Sequence, residues 1–262
     1  MKKAALAVLA ALAVIAVSGC AAEPGSEGDS AAPSATGSVT GTVTVFAAAS
    51  LTDVFEALGD EFSAENPDVS VSFNFGGSSG LAEQIVQGAP ADVFAAANPE
   101  TMATVTEAGL AADPVAFATN TLELVVPAGN PGAVDGVADL ERPELAVALC
   151  AVEVPCGAAS AAALAAAGVG ASVDTFEQDV KAVLTKVELG EVDAGLVYRT
   201  DVLAAADTVE GIAFDEADSA INHYPVAATS ESSNRAAAAA FVAFVLSAKG
   251  RALLSEAGFG AP

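Results

Sequence analysis

The sequence predicts an α/β fold in which helices cover mostly parallel sheets. Two observations carry that prediction. Apolar runs of strand length alternate along the chain with longer stretches whose apolar residues recur at helical spacing. Turns of small residues then join strand ends directly to helix starts, as in Phe46-Ala47-Ala48-Ala49-Ser50-Leu51 and Phe75-Gly76-Gly77-Ser78-Ser79-Gly80-Leu81.

The first strand spans 43–46 and precedes a helix carrying Leu51, Val54, Phe55, Leu58 and Phe62. A second strand over 69–75 alternates Val69, Val71, Phe73 and Phe75, and the next helix carries Leu81, Ile85 and Val86. Residues 92–95 read as a short buried strand, after which Asn98-Pro99 starts a helix as cap and first-turn proline. Buried strands are expected at 122–126, 145–149 and 194–198, with helices at 158–167 and 176–189. The second of those helices carries Phe176, Val180, Val183, Leu184 and Val187 on its apolar stripe. A late strand at 221–226 and a helix at 234–246, packing through Phe241, Phe244 and Val245, complete the pattern.

Residues 1–20 read as a targeting segment rather than fold. Lys2 and Lys3 precede a fourteen-residue apolar stretch over 4–17, which ends at Val17-Ser18-Gly19-Cys20. A membrane-spanning helix needs roughly 20 apolar residues, so this stretch is short for one. It resembles a bacterial lipobox, which implies cleavage before Cys20, lipid attachment to its thiol, and anchoring to the outer face of a cell membrane. A plain secretory signal with an incidental cysteine is the alternative. Residues 21–40 read as a flexible tether of Ala, Gly, Ser, Pro, Thr and acidic residues.

The net charge is −25, and loss of Lys2 and Lys3 leaves 7 basic against 34 acidic residues, −27. Phosphate contacts need Lys and Arg, so the charge argues against nucleic acid as a partner. With Cys20 assigned to lipid, Cys150 and Cys156 remain, and in an exported chain a leftover pair favours a disulfide over two buried thiols.

Each serine turn places backbone N–H groups and a hydroxyl at the start of a helix, where an anion is favoured. Neither turn contains a charged residue, so an anion site here rests on neutral dipoles. Two other readings stand beside it. Ser50 and the Ser78-Ser79 pair can serve as helix N-caps, with Asp53 completing a capping-box-like pair after Ser50. Gly76-Gly77-Ser78-Ser79-Gly80 also matches a nucleophile elbow, with Asp207, Asp215, Asp218 and then His223 following in hydrolase order. Only two strand runs precede Ser78, too few for that elbow, and no second glycine-rich oxyanion loop is visible. His223 is the single histidine, which rules out a His-rich metal cluster and is read as structural.

The chain resembles the molybdate-binding proteins of bacterial ABC importers over residues 41–262. The resemblance rests on six pieces in order, at 45–51, 78–85, 88–94, Val154-Pro155-Cys156-Gly157, 190–198 and Tyr224-Pro225-Val226. It implies a two-lobed periplasmic-binding-protein fold of type II, with the ligand in the cleft. Residues 41–120 and 226–262 would form lobe I, and residues 121–225 lobe II. It implies a non-catalytic, monomeric receptor that carries molybdate or tungstate to a permease and its ATPase, with no cofactor. Carried onto this chain, Ser50 and Ser78 supply hydroxyls, Cys156 and Val180 supply backbone amides, and Tyr198 donates its phenol. Cys156 departs from the family, which commonly has a small residue there, but a backbone contact tolerates the change. A donor-only site suits a fully deprotonated dianion, whereas hydrogen phosphate wants an acceptor. A sulfate or other oxyanion receptor of the same fold, and a serine hydrolase using Ser78, are the alternatives.

Overall fold

Strand β1 (Gly41–Ala48) is an interior strand of a first five-stranded sheet, and nearly every side chain from Val43 onward is apolar and buried. The computed structural model describes residues 39–262. The leader, most of the tether, and the lipid-attachment reading at Cys20 therefore lie outside the described residues.

The first sheet runs in the order β2-β1-β3-β10-β4, from β2 (Val69–Gly76), β1, β3 (Val93–Ala95), β10 (Asn222–Ala228) and β4 (Val115–Asn120). The second runs β7-β6-β8-β5-β9, from β7 (Thr175–Glu177), β6 (Val147–Cys150), β8 (Ala194–Tyr198), β5 (Leu122–Pro127) and β9 (Val209–Ile212). Where alternation predicts mostly parallel sheets, both are mixed. β1 pairs in parallel with β2 and β3, but β10 runs antiparallel to β3 and β4. β6 pairs in parallel with β7 and β8, but β5 runs antiparallel to β8 and β9. The reason is connectivity: β5 and β10 enter their sheets from the opposite lobe and not through a local helical crossover.

The chain passes from β4 to β5 at Thr121 and returns into β10. At these crossings Asn120 and Asn222 stand opposite each other in the β4–β10 register. Asn120 Nδ2 donates to Thr200 Oγ1 at 2.8 Å, and Asn222 Nδ2 donates to the Ala97 carbonyl at 2.7 Å. Both asparagines are buried, so these bonds satisfy amides that would otherwise be costly there.

The helices are α1 (Thr52–Glu65), α2 (Ser78–Val86), α3 (Pro99–Glu107), α4 (Pro155–Ala167), α5 (Val180–Glu188), α6 (Arg199–Ala204), α7 (Arg235–Val245) and α8 (Ala248–Glu256). Lobe I is packed through aromatic rings: Phe55 and Phe62 of α1 meet Phe241 of α7 at ring-centre distances of 6.2 and 5.3 Å, in edge-to-face geometry. Lobe II has an aliphatic core of Val, Leu and Ala instead, and Ala49 at the end of lobe I's first strand is buried within it.

Two expected elements change. The helix expected at 176–189 is a strand followed by a helix, because Asp179 accepts from the Ala182 N–H at 2.9 Å and caps α5 at Val180. Phe176, placed on the apolar stripe, lies on β7 and is exposed. The helix expected at 158–167 begins earlier, at Pro155, since a proline is favoured in the first turn.

Candidate functional site

Four backbone turns converge between the lobes. Lobe I contributes the 3-10 turn Ala49–Leu51 after β1 and the start of α2 after β2. Lobe II contributes the starts of α4 after β6 and of α5 after β7, and Tyr198 closes the group from the end of β8. Ser50, Ser78, Cys156, Val180 and Tyr198 all line one small cavity, together with Gly76, Gly77, Ala97 and Asp179. Its free volume is about 10 Å³, room for about one water, so the lobes have to part slightly to admit a tetrahedral oxyanion. Beside it lies an open groove of about 630 Å³ lined by Ser79, Glu83, Glu100, Glu153 and His223 among others.

The hydroxyls are set by contacts behind them. The Ala97 N–H donates to Ser78 Oγ at 3.0 Å, and Ser50 Oγ lies 3.0 Å from Tyr224 Oη. Neither serine caps its helix. The N-cap positions are Leu51 for α1 and Gly77 for α2, with no side-chain cap at either. Asp53, expected to complete a capping pair, instead meets Lys181 Nζ at 2.9 Å. The elbow reading fails as well: no hydrogen bond joins Ser78 to His223 among the described residues, and His223 is an exposed residue of β10.

The first amides of a helix have no intrahelical acceptor, and Val180 and Cys156 occupy the first and second positions of α5 and α4. Cys156 is held there by a disulfide to Cys150, with Cα atoms 5.8 Å apart, which ties the first turn of α4 to the end of β6. Asp179 is the charged residue on the lining, and the Ala182 N–H already engages one of its oxygens.

Tyr198 is 1% exposed, and among the described residues its hydroxyl makes no hydrogen bond of normal geometry, with the Tyr224 and Asn222 side chains nearby. A buried phenol normally makes one, so this oxygen at the cavity wall is an unmet polar group. Burial, then the neighbouring Tyr224 and Asp201, push its pKa well above the ordinary phenol range, so it keeps its proton. Beneath it, Asp201 Oδ2 accepts from the Tyr198 N–H at 3.1 Å, while Oδ1 lies 3.4 Å from Lys181 Nζ. Burial raises the Asp201 pKa to about 6 against the opposing pull of Lys181. Burial alone would lower the Lys181 pKa, but Asp201 and Asp53 outweigh it and hold it above its ordinary value.

Tyr224, Asp201 and Lys181 escaped the sequence reading as parts of this site. The pairing of Tyr224 with Ser50 spans 174 residues of sequence and leaves no local signal. Asp201 did leave one, an acidic residue three positions after a buried strand-ending tyrosine. Among the described residues no group of three or more His, Cys, Asp or Glu side chains is placed to hold a metal ion.

Residues 43–260 match the family of bacterial extracellular solute-binding proteins. The molybdate-binding protein ModA of Mycobacterium tuberculosis is 46% identical over 221 residues, covering 84% of this chain and 85% of its own. A solved substrate-binding domain of a putative molybdenum ABC transporter from Clostridium difficile is 29% identical, with a TM-score of 0.64 over 84% of this chain and 99% of its own. The periplasmic molybdate-binding protein of Azotobacter vinelandii has the same fold, with a TM-score of 0.72 at 20% identity over 84% of this chain and 99% of its own. The protein is an exported solute-binding protein rather than an enzyme, and it belongs to the bacterial extracellular solute-binding protein family.

Proposed function

We propose that the protein captures molybdate, and tungstate alongside it, as the binding component of an ABC importer, and hands the anion to a membrane permease served by an ATPase. The observation that carries this reading is the unpartnered Tyr198 hydroxyl at the wall of a cavity ringed by Ser50, Ser78 and the first amides of α4 and α5. Those groups are donors, and they face one small space between the lobes. Hydrogen bonds to a charged group contribute ~1.5–3 kcal/mol each, and micromolar affinity needs only about 8 kcal/mol. Helix N-termini add to the attraction without any cationic side chain. The likeness to ModA favours molybdate among the tetrahedral dianions.

Ser50, Ser78 and Tyr198 act in this reading through their hydroxyl protons, Cys156 and Val180 through their amides. The anion is cargo and no cofactor takes part. Residues 41–120 with the C-terminal segment form one gripping lobe, and the segment between the crossings forms the other. Lipid attachment at Cys20 would tether the receptor beside its permease, and one copy of the chain suffices for the grip.

A thermal-shift panel of molybdate, tungstate, sulfate and hydrogen phosphate tests the reading, because a ligand that binds only the folded state stabilises it. Molybdate and tungstate should raise the melting temperature at micromolar concentration, sulfate only at far higher concentration. Equal shifts with sulfate would favour a general oxyanion receptor, and no shift with any of them would end the proposal.

A further inference from the structure

The two site serines stand in equivalent positions but are held from behind by different groups. Ser78 Oγ accepts from the Ala97 backbone N–H, which can only donate. Its own proton is thereby left to point elsewhere, into the cavity it lines. Ser50 Oγ has the Tyr224 hydroxyl 3.0 Å behind it, a group able to donate or to accept. Ser50 owns one proton. If that proton is spent on Tyr224, the serine offers the cavity lone pairs and repels an anion. If Tyr224 donates, the serine proton is free to face the cavity.

We propose that Tyr224 is the positioning residue that makes Ser50 a donor: it plays for Ser50 the part that the Ala97 amide plays for Ser78, and so helps select fully deprotonated oxyanions. The inference rests on the oxyanion reading above and names the residue that enforces its selectivity. The phenol is suited to the task. Tyr224 is fully buried on β10, next to the irregularity in β4–β10 pairing at Pro225, and its ring packs edge-on against Phe117, Tyr198 and Phe259. Three aromatic neighbours fix the ring, so its hydroxyl cannot swing away from Ser50. Burial raises its pKa, which keeps the phenol protonated. A relay from phenol to serine to anion also strengthens each bond in the chain.

The test is a double-mutant cycle on the full protein, with molybdate affinity read by calorimetry for wild type, Tyr224→Phe, Ser50→Ala and the double variant. Phenylalanine keeps the ring and its packing, so the fold is retained, and the melting temperature of each ligand-free variant checks that. Tyr224→Phe should weaken molybdate binding about 3- to 10-fold when Ser50 is present and by less than about twofold when residue 50 is alanine. It should also narrow the preference for molybdate over hydrogen phosphate, since a released Ser50 hydroxyl can accept the P–OH proton. Losses that simply add, or an unchanged preference, would overturn the inference and leave Tyr224 a packing residue. As an independent check, 3-fluorotyrosine at position 224, a stronger donor and weaker acceptor, should tighten molybdate binding, and weaker binding would contradict it. A wild-type protein that takes up none of the oxyanions would instead defeat the proposed function itself.

Discussion

Lys181 of α5 and Asp53 of α1 join the two lobes across the cleft, with Nζ and Oδ2 2.9 Å apart. The same ammonium lies 3.4 Å from the buried Asp201, one turn below Tyr198. Lys181 thus links α1 of one lobe to the carboxylate beneath Tyr198 in the other. The Asp53 carboxylate is largely exposed, and exposed pairs contribute only about 0.2–1 kcal/mol. Asp53→Asn should therefore weaken anion affinity by no more than about fivefold, and less at high salt. Lys181→Met should cost more in both affinity and stability, because it strands the Asp201 carboxylate in the interior. Affinities of the two variants at low and high salt check this, and equal effects would contradict it.

Gly77 marks a close approach of the lobes. A Cβ there would stand only 2.1 Å from the Gln178 carbonyl oxygen, a backbone atom of the opposite lobe. The Gly77 backbone itself, at φ −60° and ψ 126°, suits any residue. Gly77→Ala should thus be tolerated with the lobes apart and resisted when they close. The expected result is about tenfold or greater loss of anion affinity with the ligand-free melting temperature nearly unchanged. Unaltered affinity would show that closure does not bring these segments so near.

Asp201 makes stability depend on pH in an unusual direction for a carboxylate. Its pKa in the folded protein is about 6, above the ~3.9 of an unfolded chain, so the folded state binds the proton more tightly. The resulting stabilisation is fully present below about pH 4 and is lost as pH rises through about 6. Asp201→Asn removes this titration and retains an oxygen to accept from the Tyr198 N–H. The stability of the variant relative to wild type should therefore climb by on the order of 2 kcal/mol between pH 4 and 7. Denaturant unfolding across that range measures it, and a flat difference would refute the assignment.

The Cys150–Cys156 bridge closes a short loop, for which chain entropy supplies about 2 kcal/mol. The double serine variant should lose roughly that much stability. Its anion affinity should fall too, because the first turn of α4 is no longer tied to β6. An unchanged denaturation midpoint on adding a thiol reductant to wild type would show that the bridge carries no weight.

The turns that line the candidate site were more legible in the sequence than the sheets around them. Ser50 and Ser78 stand where a strand ends in small residues and a helix begins, a local pattern that a linear reading detects. Cys156, Val180 and Tyr198 came only through resemblance: Val180 also fits the apolar stripe of its helix, and an amide contact leaves no mark on residue type. Strands β4, β7 and β9 were missed because each is short or lies at a sheet edge, defined by its pairing partner more than by composition. Phe176 illustrates the cost, since an exposed phenylalanine on an edge strand reads as the start of a helix until Asp179 is recognised as the cap. Tyr224 and Lys181 act through partners more than a hundred residues away, which no periodicity can reveal.

Calorimetric titration of molybdate into wild type and Tyr198→Phe tests the central claim most directly. Wild type should bind one molybdate per chain at micromolar affinity or better. Removal of the Tyr198 hydroxyl should weaken that binding about 10- to 100-fold, as expected for a lost hydrogen bond to a charged ligand. Equal molybdate affinity in the two proteins, or no heat with wild type, would contradict the account.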